Sequence, residues 1–159
     1  MREINLSNSK RVAFIDDSDY ELVSKYRWRL LTDKWNNYAI GDIVREGRHV
    51  SMHRLILGIK DSKIKIDHKN GNGLDNQRHN LRIATTSQNA ANKKKTDNKK
   101  TSKYKGVVYR KYDNKWEASI INNYKYQYLG RFKTETEAAL AYNKRAIELY
   151  GEFAKLNDI

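Results

Sequence analysis

The sequence predicts an α+β chain made of several small sheets and short helices. Short apolar and aromatic runs alternate with turns bearing Asn, Asp and Gly along the whole length, the pattern of antiparallel strands. Two Ser/Thr-x-x-Glu signatures, Ser18–Glu21 and Thr134–Glu137, mark helix starts. Positive charge gathers after residue 50: residues 1–50 hold nine Lys/Arg and eight Asp/Glu, whereas residues 51–159 hold 23 and 11. Four segments are expected: a β-rich scaffold over 1–50, a strand–turn–strand–helix unit over 51–92, a basic linker over 93–102, and a three-stranded antiparallel sheet packed on one helix over 103–159.

In the first segment Arg11–Ile15 reads as a strand, and Ser18–Glu21 opens a short helix through about Tyr26. Trp28–Leu31 and Tyr38–Val44 read as strands, with a turn near Trp35-Asn36-Asn37 and another at Glu46-Gly47. In the second, Met52–Leu57 is a short helix closed by Gly58, and Lys63–Asp67 is a strand. Asn70-Gly71-Asn72-Gly73 is a tight turn, and Asn80–Ala84 returns as a strand. Thr86 or Ser87 caps a helix that carries Gln88, Asn89 and Asn92. In the last, Tyr104–Arg110, Trp116–Ile121 and Tyr126–Phe132 are strands joined at Asp113-Asn114 and Asn122-Asn123. Trp116, Ala118 and Ile120 share one face, and Glu117, Ser119 and Ile121 the other. The final helix runs from Thr134 to about Tyr150 with an Ala-rich apolar stripe and ends at Gly151.

The 159 residues carry a net charge of +13 and contain no cysteine. Disulfide frameworks, thiolate zinc sites and cysteine nucleophiles are excluded, and a reducing cytoplasm is the expected home. The block Lys93-Lys94-Lys95, Lys99-Lys100, Lys103 and Lys105 repels itself, favours an extended solvated segment, and attracts a polyphosphate by counterion release. No amphipathic helix with bulky anchors lies near it, so the expected partner is nucleic acid and not a membrane.

Asp67 and His68 stand side by side at the end of a strand, Asn80 lies on the returning strand, and Asn89 on the following helix. One turn and one helix can thus gather a base, a hard oxygen ligand and amide groups. Asp67-His68-Lys69-Asn70-Gly71, Asp75-Asn76, Asn80-Leu81-Arg82 and Ser87-Gln88-Asn89, preceded by Met52-His53-Arg54-Leu55-Ile56, resemble the HNH nuclease family, and in particular its phage and intron homing endonucleases. The resemblance covers roughly residues 50–92 and implies a ββα-metal unit. It implies that His68 is the general base activating water against a phosphodiester, and that Asn80 orients the imidazole. It implies that Asp67 and Asn89 bind one divalent cation, Mg²⁺ with Mn²⁺ as a substitute. Asn89 stands where the name-giving motif has a third His, and remains a competent oxygen ligand. His53 is expected beneath the site and His79 at the surface; His49 has no assigned role.

A second series, Tyr104-Lys105-Gly106-Val107, Lys115-Trp116, Tyr128-Leu129-Gly130-Arg131-Phe132, Thr134–Ala139, Ala141-Tyr142 and Leu156-Asn157, resembles the APETALA2/ethylene-response-factor DNA-binding domain. This resemblance implies a sheet laid in the major groove, with Lys105, Arg110, Tyr112, Lys115, Tyr126 and Tyr128 facing DNA. Val108, Ser119 and Ile121 replace charged residues of the plant proteins, so DNA binding is implied but the plant GC-rich site is not.

Together the two resemblances imply a phage-type homing endonuclease that cuts or nicks double-stranded DNA. Its second domain and Lys93–Lys95 would supply binding and target choice, and no protein partner is called for. Its compartment would be the cytoplasm of a bacterial host. The principal rival is a non-catalytic DNA-binding regulator with a decayed nuclease unit; a structural RNA-binding protein, suggested by charge alone, leaves Asp67, His68, Asn80 and Asn89 without a task.

Overall fold

The computed structural model describes residues 1–33, 36–43, 48–95 and 101–159. These form two compact units, Met1–Thr85 and Thr86–Ile159. The expected turns at Trp35 and at Glu46-Gly47, and Lys99-Lys100 of the lysine block, fall outside the described residues. No described helix is long and apolar enough to cross a membrane.

In the first unit β1 (Arg2–Asn5) pairs antiparallel with β2 (Val12–Ile15), Arg2 opposite Ile15. A 3-10 turn at Asp17–Asp19 runs into α1 (Tyr20–Val23). The capping box expected at Ser18 is not made: Asp19 is the N-cap, its side chain makes no capping bond, and α1 stops at Val23 rather than near Tyr26. The reason is tertiary. The buried Asp19 carboxylate is taken by Arg78 at 2.6 Å, and the Trp28 indole donates to the Val23 carbonyl at 2.9 Å just past the helix.

Strands β3 (Trp28–Thr32), β4 (Asn37–Ile43) and β5 (Arg48–Ser51) form an antiparallel sheet in that order, and α2 (Met52–Leu57) follows at once. Gly58 closes α2 as expected, and the Arg54 guanidinium donates to the carbonyls of Asp61 (3.0 Å) and Ile64 (2.6 Å), tying the next loop to the helix. The hairpin of β6 (Lys65–His68) and β7 (Leu81–Ala84) has Asp67 opposite Arg82 and His68 opposite Leu81. Leu6, Ala13, Ile15, Val23, Trp28, Ala39, Met52, Ile56, Leu74 and Leu81 make one core beneath these elements.

Long-range bonds fix the loop between β6 and β7. Phe14 N donates to Leu74 O and Asn76 N donates to Phe14 O, both at 2.8 Å. Asp16 accepts from Gln77 Nε2 and from the Arg78 amide. Gly73 packs so tightly against the Asn37 carbonyl that an added Cβ would lie 2.4 Å from it.

The second unit starts with α3 (Thr86–Asn92). Its sheet, β8 (Val107–Arg110), β9 (Lys115–Asn122) and β10 (Lys125–Phe132), is antiparallel with β9 central. β8 begins at Val107 and not at Tyr104, because Gly106 turns the chain at φ +75. Helix α4 (Glu135–Tyr150) has the expected capping box: Glu137 N donates to Thr134 Oγ1 at 3.2 Å, and Thr134 N donates to the Glu137 carboxylate at 3.1 Å. Ala138, Ala139, Tyr142 and Ala146 of α4 and Val107, Ala118 and Ile120 of the sheet are buried, the small alanines allowing close approach. Asn157 bonds both the amide and the carbonyl of Lys105, anchoring the tail to the start of the sheet.

Candidate active site and nucleic-acid interface

The first candidate site sits at the end of the β6–β7 hairpin. Antiparallel register sets Asp67 across from Arg82, and the guanidinium engages Asp67 Oδ2 at 2.9 Å through Nε and 2.8 Å through Nη2. Asp67 and His68 are each 5% exposed. The chain turns directly after them, with Gly71 N donating to His68 O at 2.8 Å and Lys69 N to Asn80 O at 2.9 Å.

His68 Nε2 lies 3.4 Å from Asn76 Oδ1. Asn76 is fully buried, and its Nδ2 donates to Leu74 O at 3.1 Å, so its oxygen is the atom turned to the ring. A neutral imidazole that donates from Nε2 keeps its basic lone pair on Nδ1. Asn80 holds the loop: its amide accepts from Asn70 N (3.0 Å) and donates to Asp75 O (2.7 Å) and Asn70 Oδ1 (3.1 Å).

Two further rings frame His68. His53, on α2, meets it edge-on with centroids 5.3 Å apart, and Tyr38, on β4, lies 6.1 Å from His68 and 5.9 Å from His53. His53 Nδ1 is buried without a hydrogen-bond partner among the described residues. Burial lowers the proton affinity of both imidazoles. His53 falls to about 3, with His68 and Arg54 adding to the effect. His68 falls less freely, because the Asn76 oxygen and the charges of Asp67 and Asp75 pull it back. Burial raises the Tyr38 phenol. His79 is exposed, and His49 pairs with Asp42 at 2.7 Å.

His53 therefore stays neutral in the folded protein but is protonated in the unfolded chain below its ordinary value of 6.5. Its contribution is complete above pH 6.5 and is lost as pH falls from 6.5 toward 3, at up to about 1.4 kcal/mol per pH unit. Asp16 and Asp17, held below 3.8 chiefly by the Arg78 amide and the N-terminal ammonium respectively, act only in more acid solution. The urea midpoint of the first unit should drop between about pH 7 and pH 4.5, and the His53→Phe variant should show a shallower drop. An unchanged slope in that variant would place the acid sensitivity elsewhere.

Asp67 is the carboxylate here that could hold a hard cation, and its Oδ2 is engaged by the Arg82 guanidinium. Asn89, the second expected ligand, is half-buried on α3 in the second unit.

The second candidate site is the face of the β8–β9–β10 sheet opposite α4. Tyr112 (70% exposed), Tyr126 (59%) and Tyr128 (56%) protrude there with Arg110 and Lys115. Lys105 is placed differently: its half-buried ammonium donates to the carbonyls of Ala91 (2.5 Å) and Lys93 (2.8 Å), and burial, helped by Lys155, lowers it to about 8. Lys95 likewise donates to the carbonyls of Ser102 and Tyr104, while Lys93 and Lys94 are exposed. Lys94, Lys95, Lys103, Lys105 and Lys155 line a cavity of about 360 Å³ in this unit.

Sequence reasoning assigned no role to Asn76, Arg82, Glu117 or Arg131. Arg82 was readable from the hairpin register; Asn76 carried no signal beyond its neighbours in the motif.

No protein-family model matches this sequence. It is 36% identical over 149 residues to an uncharacterized HNH endonuclease of Acanthamoeba polyphaga mimivirus, covering 92% of this chain and 75% of the viral protein. It is also 45% identical over 58 residues, 35% of its length, to an ethylene-responsive transcription factor and to an AP2-like ethylene-responsive transcription factor of Arabidopsis thaliana. The latter matches span only 14% and 17% of the plant proteins.

Proposed function

The chain belongs to the HNH endonuclease family, and on that premise we propose that it is a metal-dependent endonuclease that hydrolyses phosphodiester bonds of double-stranded DNA. The observation that carries the reading is the buried Asp67–His68 pair on a tight hairpin, its imidazole facing the fixed Asn76 oxygen. His68 takes the proton from the attacking water, and burial favours the neutral ring that can accept it. Arg82 holds the Asp67 carboxylate in place, and Asn80 holds the loop that presents both residues. Asp67, in the first unit, is the proposed oxygen ligand of the cation. Bound there, Mg²⁺ or Mn²⁺ would neutralise charge on the scissile phosphate and its leaving oxygen.

The second unit supplies target choice through its exposed sheet face, and the exposed Lys93 and Lys94 add sequence-independent attraction to the backbone. The local likeness to plant transcription factors supports this division of labour. The proposed setting is that of a phage homing-type enzyme acting in a bacterial host. Supercoiled plasmid, including clones of the source genome, should be nicked or linearised with Mg²⁺ and left intact with chelator. Purified protein that binds DNA yet cuts no substrate with Mg²⁺ or Mn²⁺ would turn the reading into that of a regulator.

A further inference from the structure

An acid lies at the centre of the sheet face proposed to meet DNA. Glu117 is on the middle strand β9, directed away from α4, and is only 6% exposed. Its Oε1 accepts from Arg110 Nη2 at 2.5 Å and from the Tyr126 hydroxyl at 3.2 Å; its Oε2 accepts from Arg131 Nε at 3.3 Å. Arg110 comes from one neighbouring strand and Arg131 from the other, so one carboxylate spans the sheet. Arg131 is further held by Asp113 Oδ2 at 3.1 Å and lies 4.9 Å over the Tyr112 ring. The two arginines remain 41% and 35% exposed.

On charge alone this acid is a defect. An anion inside a DNA-facing surface weakens backbone attraction. Its physical return is order: long arginine side chains lose rotamer freedom on binding, and a guanidinium already fixed loses less. Opposite charges across adjacent strands also set the separation of the two forks.

We infer that Glu117 is a positioning residue for base selection. It holds the guanidiniums of Arg110 and Arg131 as a pre-set pair whose outer N–H groups meet acceptor edges of neighbouring base pairs in a duplex groove. Arg131 thereby joins Arg110 as a contact. This rests on the reading that the sheet face binds DNA. It leads to an expectation opposite to that of charge: losing the acid raises or preserves bulk DNA affinity and lowers selectivity.

The test uses the full chain and a pool of randomised duplexes, selected by binding and sequenced. For Glu117→Gln, preference at two neighbouring base pairs should fall about tenfold at each, the worth of a bidentate contact, while affinity for mixed-sequence DNA is unchanged or higher. Arg131→Lys keeps the charge, leaves the carboxylate a partner, and should lose preference at one of those pairs; it tests the inference even if Glu117→Gln folds poorly. Both variants selecting the same motif as the parent would overturn the inference. A Lys115→Ala/Tyr128→Ala variant separates the two levels. If it binds and selects like the parent, the sheet face does not meet DNA and both readings fall; if it weakens binding while Glu117→Gln and Arg131→Lys select normally, only the inference falls.

Discussion

His68→Ala is expected to lower the rate of DNA cleavage by about 10²- to 10⁴-fold, the usual worth of a positioned general base, with DNA affinity within about twofold of the parent. The split follows from placement. His68 is buried at the hairpin end, while the tyrosines, arginines and exposed lysines proposed to hold the duplex are on the other unit. Truncation also removes a ring packed against His53 and Tyr38 and leaves the buried Asn76 oxygen without its imidazole neighbour. Some stability is therefore lost, and a thermal melt must show the variant folded at the assay temperature. Single-turnover cleavage on a fixed substrate, beside a binding titration in chelator, checks the result. A parallel loss of affinity and rate would make His68 a structural histidine; restored cleavage on adding free imidazole would support its role as the base.

Gly106→Ala should have the largest effect on stability, about 3 kcal/mol from overpacking and a left-handed backbone together. The new Cβ would lie 2.1 Å from Tyr142 Cδ2 and 2.6 Å from the Ser119 carbonyl, at φ +75. Neither neighbour can retreat easily. Tyr142 is buried in the α4–sheet core, and Ser119 is bonded through its amide to Gly106 O at 2.9 Å. Gly58→Ala is the natural control: its φ of +68 is similar, but nothing lies within 4 Å, so it should cost only about 1 kcal/mol. Denaturation of the two variants, followed by the Trp116 environment for the second unit and the Trp28 environment for the first, should separate them clearly. Equal losses would mean that the close approach at Gly106 carries no energetic weight.

The periodic elements were legible in the sequence, and those shaped by distant partners were not. Helix α4 shows its cap, its small-residue stripe and its terminal glycine locally, and the structure places each where expected. The β6–β7 hairpin is equally local, because its turn residues and alternation lie within about twenty positions. β1 and β5 were missed: β1 is a polar, largely exposed run that becomes a strand only because β2 pairs with it, and β5 likewise depends on β4. α1 was overextended for the converse reason, since Arg78, 59 residues away, claims the acid at its start. At the candidate site, Asp67, His68 and Asn80 are singled out by motif spacing alone. The ring cluster of Tyr38, His53 and His68 draws on three separate elements, and no one-dimensional pattern announces it. Glu117 was assigned to its face correctly, but its two arginine partners become visible only when strand register is known.

The seam between Phe14 and residues 74–76 also bears on the order in which the chain folds. Its bonds close a loop of about sixty residues, an entropic cost that local hairpins avoid. The β6–β7 hairpin can therefore nucleate early, while the segment carrying Asn76 settles only when β2 is already in place to receive it. The imidazole gains its Asn76 neighbour in that late step, so hydrolytic competence should emerge with the slowest refolding phase rather than with the first appearance of strand signal.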